Sequence, residues 1–181
     1  MYNNECLKWI MPSIKNRTVS IDNLNKGFNF RIEKAKEQHL LSVVDREDIK
    51  KYVKDYLSSL GMDISFDPVI KPKKTETRRF IYSKINKENK EDIVWIKFTK
   101  DNYISVIGTG CDIYFTEYTK NNTTAGLIIQ ALGLEWDDSE VLVFPLNNIP
   151  YGLNRSDIES GIGNYLISKG VPILDFYSHN Y

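Results

Sequence analysis

The sequence predicts an α+β fold: an antiparallel sheet meander with helices at the N-terminal and C-terminal parts. Three observations lead there. Apolar residues recur at steps of three and four through the first third. The middle changes to short β-rich runs joined by polar turns too short for crossover helices. Helical spacing then returns in the last third.

The elements follow in order. Ser20 caps a predicted helix with Ile21, Leu24, Phe28, Ile32 and Ala35 on one face, weakened by Gly27. Asp45 caps the next, with Asp48 in its first turn. Ile49, Tyr52, Val53, Tyr56, Leu57 and Leu60 form its buried stripe, and Gly61 ends it. The segment from Asp67-Pro68 to Thr77 carries two prolines and several lysines, and reads as a surface loop or hinge. Strands are expected at Phe80–Tyr82, Ile93–Phe98, Tyr103–Ile107 and Cys111–Phe115. Thr123 or Thr124 caps a short helix through Leu127, Ile128, Ile129 and Leu132. Val141–Phe144 is a buried strand that stops at Pro145. Ser156 and Glu159, three apart, read as a capping box for a helix ending at Gly170, and Val171–Leu174 as an edge strand. Residues 1–66 thus form a helical N-terminal part and 67–181 a sheet-containing α+β part of one continuous domain.

Composition limits the classes. Of 181 residues, 41% are hydrophobic and 27% charged, enough to bury a core and to exclude wholesale disorder. No apolar run is long enough for a membrane span, and no basic head precedes an unbroken apolar stretch. A cytoplasmic location is expected, with Cys6 and Cys111 as free thiols. The abundance of Asn, Lys, Ile and Tyr suggests an AT-rich coding sequence, as in a bacterium, its viruses or its mobile elements.

Net charge is zero, but it is unevenly laid out. Residues 1–100 hold 21 Lys and Arg against 14 Asp and Glu, a net of +7, and residues 101–181 carry −7. Such asymmetry points to an interaction surface, or to two halves that neutralise each other in the fold.

No enzyme motif has the spacing its chemistry needs. Gly108-Thr109-Gly110 lacks the third glycine and the following helix of a dinucleotide site, and reads as a hairpin turn. Cys111 has only His39 and His179 as bases in the chain and reads as a core residue; zinc spacing is absent. A metal-dependent nuclease would have to use Asp112, Glu117 and Lys120 with Glu91, Asp92 and Lys97, and strand alternation puts Asp112 and Glu117 on opposite faces. No metal or cofactor is expected.

Two charged stretches remain. Residues 67–100 are basic, with Lys71, Lys73, Lys74, Arg78 and Arg79, and with Trp95 and Lys97 expected together on a face away from the core, as a nucleic-acid or partner contact. Glu135, Trp136, Asp137, Asp138 and Glu140 form an acidic cluster expected in a loop, where carboxylates engage a partner's arginines around a tryptophan anchor. Tyr151 and Arg155 lie in a further loop candidate. The function expected is therefore non-enzymatic: an intracellular protein that binds another macromolecule and occludes it through segregated basic and acidic surfaces. A phage or mobile-element inhibitor of a host nucleic-acid-processing enzyme, in the manner of anti-CRISPR proteins, fits this description. The alternatives are a nucleic-acid-binding protein using residues 67–100 and a metal-dependent nuclease.

Overall fold

A computed structural model describes residues 27–62, 64–65, 67–71, 92–110 and 123–176. Within them the order is helix α1 (Gly27–His39), helix α2 (Arg46–Ser59), strand β1 (Val69–Ile70), strand β2 (Ile93–Thr99), strand β3 (Ile104–Thr109), helix α3 (Thr124–Ala131), strand β4 (Trp136–Pro145) and helix α4 (Arg155–Ser168). The fold is α+β. The sheet is antiparallel, ordered β1-β4-β2-β3: β2 and β3 form a hairpin, and β4 returns on the other side of β2. The expected start of the first helix at Ser20, and the strands at Phe80–Tyr82 and Cys111–Phe115, fall outside the described residues.

Helix α2 matches its sequence signals. The Asp45 carboxylate accepts from the Glu47 amide at 2.7 Å, and Glu47 and Asp48 place negative charge at the positive end of the helix. Ile49, Val53, Tyr56 and Leu57 are buried. Each such side chain contributes about 1.5–3 kcal/mol on burial and a cap only about 1 kcal/mol, so packing holds the helix and the cap sets where it begins. Gly61, at φ +80°, reverses the chain, which lets the Met62 amide reach the Leu57 carbonyl at 2.9 Å.

The main core lies on one face of the sheet. Val94, Ile96 and Phe98 of β2 alternate toward it and meet Leu142 and Phe144 of β4, the α2 stripe, and Ile158, Ile162 and Leu166 of α4. A smaller cluster joins Ala35 of α1, Ile128 and Ile129 of α3, and Leu174, with Trp136 packed against it. The Lys97 ammonium lies 5.7 Å from the Trp136 ring and 5.5 Å from the Trp95 ring, so these residues share the face opposite Phe98. That face is not an open basic surface as expected: Lys97 is only 6% exposed.

Two sequence readings are corrected by the strands. Gly108 lies inside β3, opposite Trp95, and not in a turn. The indole lies across it, and a Cβ there would sit 2.4 Å from Trp95 Cζ2. Trp136 to Glu140 of the acidic cluster belong to β4, with Glu135 just before it. The register runs from Lys97↔Val141 to Thr99↔Trp136, so Phe98 alone faces four residues, Asp137 to Glu140. This is a wide bulge, shaped by the Asp137 carboxylate accepting from the Ser139 amide at 2.8 Å and hydroxyl at 2.6 Å. At the other end of the chain, the expected edge strand is one parallel bridge, Ile104↔Ile173.

Gly108→Ala is expected to destabilise the protein by about 1–3 kcal/mol in chemical denaturation, because the indole has to move. A smaller residue at Trp95 in the same chain should restore part of the loss; an Ala variant as stable as the parent would contradict this packing.

Candidate functional site

Arg46, the first residue of α2, builds the site. Its guanidinium stacks on the Phe98 ring at 4.2 Å, the residue that the bulge leaves facing four others. From there Nη2 donates to Asp137 Oδ2 at 2.7 Å and Nη1 to Glu140 Oε1 at 3.3 Å. The three side chains are 14–20% exposed, so these pairs are partly shielded from water. Burial pushes the Asp137 carboxyl up, but hydrogen bonds from Ser139 and the Arg46 guanidinium outweigh it and hold the group below the usual range.

A second pair closes the other side. Lys100, in the β2–β3 turn, bonds the Glu135 carboxylate, and its amide donates to the Glu135 carbonyl at 2.9 Å. The contact raises the Lys100 pKa and lowers that of Glu135. Both side chains are more than 60% exposed, so the pair adds little stability. Asn102, at φ +67°, completes the turn. Between this turn, α2 and the bulge lies a groove of 620 Å³ lined by Val43, Val44, Asp45, Glu47, Asp137 and Glu140 among others.

The predicted site residues are thus partly assembled. Glu135, Asp137, Asp138 and Glu140 share one edge, with Asp138 exposed. Trp136 points instead to the Lys97 side. Lys71 is exposed just after β1, while Lys73, Lys74, Arg78 and Arg79 lie outside the described residues. So do Glu91, Cys111, Asp112, Glu117, Lys120 and His179. His39 packs edge-on to Tyr103, with ring centroids 4.9 Å apart. Tyr151 is 99% exposed. Among the described residues, no group of three or more His, Cys, Asp or Glu could hold a metal ion, and no helix is long and apolar enough to cross a membrane.

Sequence reasoning missed a buried acidic pair. The spacing of Ser156 and Glu159 predicts a capping box between them. The cap is two residues earlier: Asn154 accepts from the Ser156 and Asp157 amides, and Asp157 accepts from the Asn154 amide. Glu159 is left on a buried face of α4. Burial pushes its carboxyl up to about 7, against a hydrogen bond with Thr109 and the charge of Arg155. Asp175 lies close by, its amide donating to the Ser105 carbonyl at 3.1 Å. Burial and the neighbouring Glu159 raise it well above the ordinary range, against the charge of Arg31. The available signal was the Asn154-to-Asp157 spacing, which fits a capping box as well as the pair two residues on.

No protein-family model matches the chain, and neither a curated protein nor a solved structure matches it. The assignment of function therefore depends on this geometry.

A carboxyl raised in the fold holds its proton more tightly there than in the unfolded chain. The Glu159 contribution is fully present below about pH 4.5 and is lost as pH rises to about 7, a change on the order of 3 kcal/mol. Denaturation curves from pH 4 to 8 should show Glu159→Gln losing less stability than the parent over that interval. Parallel pH profiles for the two chains would contradict the assignment.

Proposed function

We infer that this chain is a non-enzymatic protein that binds another macromolecule through the acidic edge of β4 and occludes a positively charged surface on it. The observation that carries the reading is the four-residue bulge. A regular strand would alternate its carboxylates between two faces. The bulge gathers Asp137, Asp138 and Glu140 beside Glu135 on one edge, with Arg46 fixing its position. With Asp137 and Glu140 held by Arg46, the exposed Glu135 and Asp138 beside them are the carboxylates that meet a cationic surface.

Positively charged grooves are where nucleic-acid-processing enzymes hold phosphate backbones, so an acidic edge competes there with the nucleic acid itself. The composition and the uneven charge layout fit an inhibitor carried by a phage or mobile element, with a CRISPR effector nuclease as the kind of target. The test mixes the purified chain with guide-loaded effector nucleases and follows gel filtration and target-DNA binding. Co-elution and loss of DNA binding are expected. The double substitution Glu135→Lys with Asp138→Lys, at exposed positions, should weaken the complex at least about tenfold, or about 1.4 kcal/mol. No complex with these nucleases removes them as targets. Steeply salt-dependent binding of the chain to free nucleic acid would favour the basic segment instead.

A further inference from the structure

The connection from α1 to α2 carries an apolar strip. Leu40 is 87% exposed, Leu41 46% and Val43 44%. A single exposed leucine is ordinary, but three large aliphatic side chains within four residues form a patch. The strip is held in shape: the Tyr103 hydroxyl lies 2.9 Å from the backbone carbonyl of His39 and 3.2 Å from that of Leu41, and its one hydrogen is shared between them. It borders the 620 Å³ groove, whose wall begins at Val43 and Val44.

The charges of the groove are unbalanced. Asp45, Glu47, Asp137 and Glu140 line it against Arg46 and Lys100. Arg46 is engaged by Asp137 and Glu140. Glu47 pairs with Lys50, and Glu135 with Lys100, in contacts where the carboxylate is more than 70% exposed. The Lys100–Glu135 pair is exposed on both sides and worth about 0–1 kcal/mol, so an incoming cation can replace Lys100 at little cost, whereas Lys50 is only 12% exposed and also pairs with Asp67.

We propose that this corner binds a basic, leucine-bearing segment of a protein partner. The partner's aliphatic side chains pack on Leu40, Leu41 and Val43, and its lysines or arginines meet Glu47, Glu135 and Asp138. The proposal rests on the acidic-edge reading above and names the part of the partner that is recognised. Apolar contact supplies affinity here, while the carboxylates select positive charge and reject acidic segments.

The probe is a short labelled amphipathic peptide of leucine and lysine, titrated with the full chain by fluorescence anisotropy at physiological ionic strength. Saturable binding is expected, lost when the peptide's leucines become serine or its lysines glutamate. Leu40→Ser with Val43→Ser should weaken it at least about tenfold, and Glu135→Lys with Asp138→Lys similarly; circular dichroism checks that both variants remain folded. Binding that responds to the charge variant but not to the serine variant overturns the apolar corner and leaves the acidic edge standing. No binding by the parent chain overturns the corner, and the nuclease complex then judges the acidic edge separately. Self-association abolished by the serine variant, or attachment of the chain to lipid vesicles through the same residues, also overturns the proposal.

Discussion

Everything at the acidic corner depends on where the Arg46 guanidinium sits. It lies over the ring of Phe98, a fully buried residue of the central strand, with Cζ 4.2 Å from the centroid, and reaches two carboxylates across the bulge. A lysine could not do both, because stacking and two directed hydrogen bonds need a planar fork of donors. The contact ties the start of α2 to the far strand, more than ninety residues away in sequence. It also explains how the bulge is tolerated. Four residues opposite one leave the ladder open over Phe98, and the arginine covers that gap.

The same contact changes the meaning of the charge layout. Along the chain, cations gather early and anions late. In the fold, Arg46 meets Asp137 and Glu140, and Lys100 meets Glu135. The two signs are thus partly neutralised across this corner. What remains at the surface is an acidic edge at Glu135 and Asp138, with Lys100 weakly held at its rim and an aliphatic strip beside it. Two carboxyls are meanwhile buried behind α4, where removal from water raises their proton affinity.

Local signals in the sequence were enough where local physics decides. Asp45, the apolar stripe and Gly61 mark α2, and the alternation of Val94, Ile96 and Phe98 marks β2, because capping, helical spacing and strand period act within a few residues. The failures share a non-local cause. Glu135 to Glu140 looks like a hydrated loop until Arg46 arrives from α2 to stabilise it as a bulged strand. Lys97 looks like a solvent-facing cation until Trp95 and Trp136 enclose its ammonium. Gly108 looks like a turn residue until the Trp95 ring needs its missing side chain. Two overlapping cap patterns near residue 156 were equivalent in sequence, and burial of Glu159 goes with the one that formed. The carboxylate-rich edge was legible in composition, but its rigidity and its apolar neighbour were not.

A double-mutant cycle tests the central contact most directly, using denaturation of the parent, Arg46→Ala, Asp137→Ala and the double variant. The cycle removes the part of each single effect that comes from stacking on Phe98 or from the Asp137–Ser139 turn. A favourable coupling of about 1–2 kcal/mol is the predicted result, reduced only modestly by salt because the pair is partly buried. Coupling within error of zero would mean that the bulge holds its shape without the arginine, and the account of the acidic corner would be wrong.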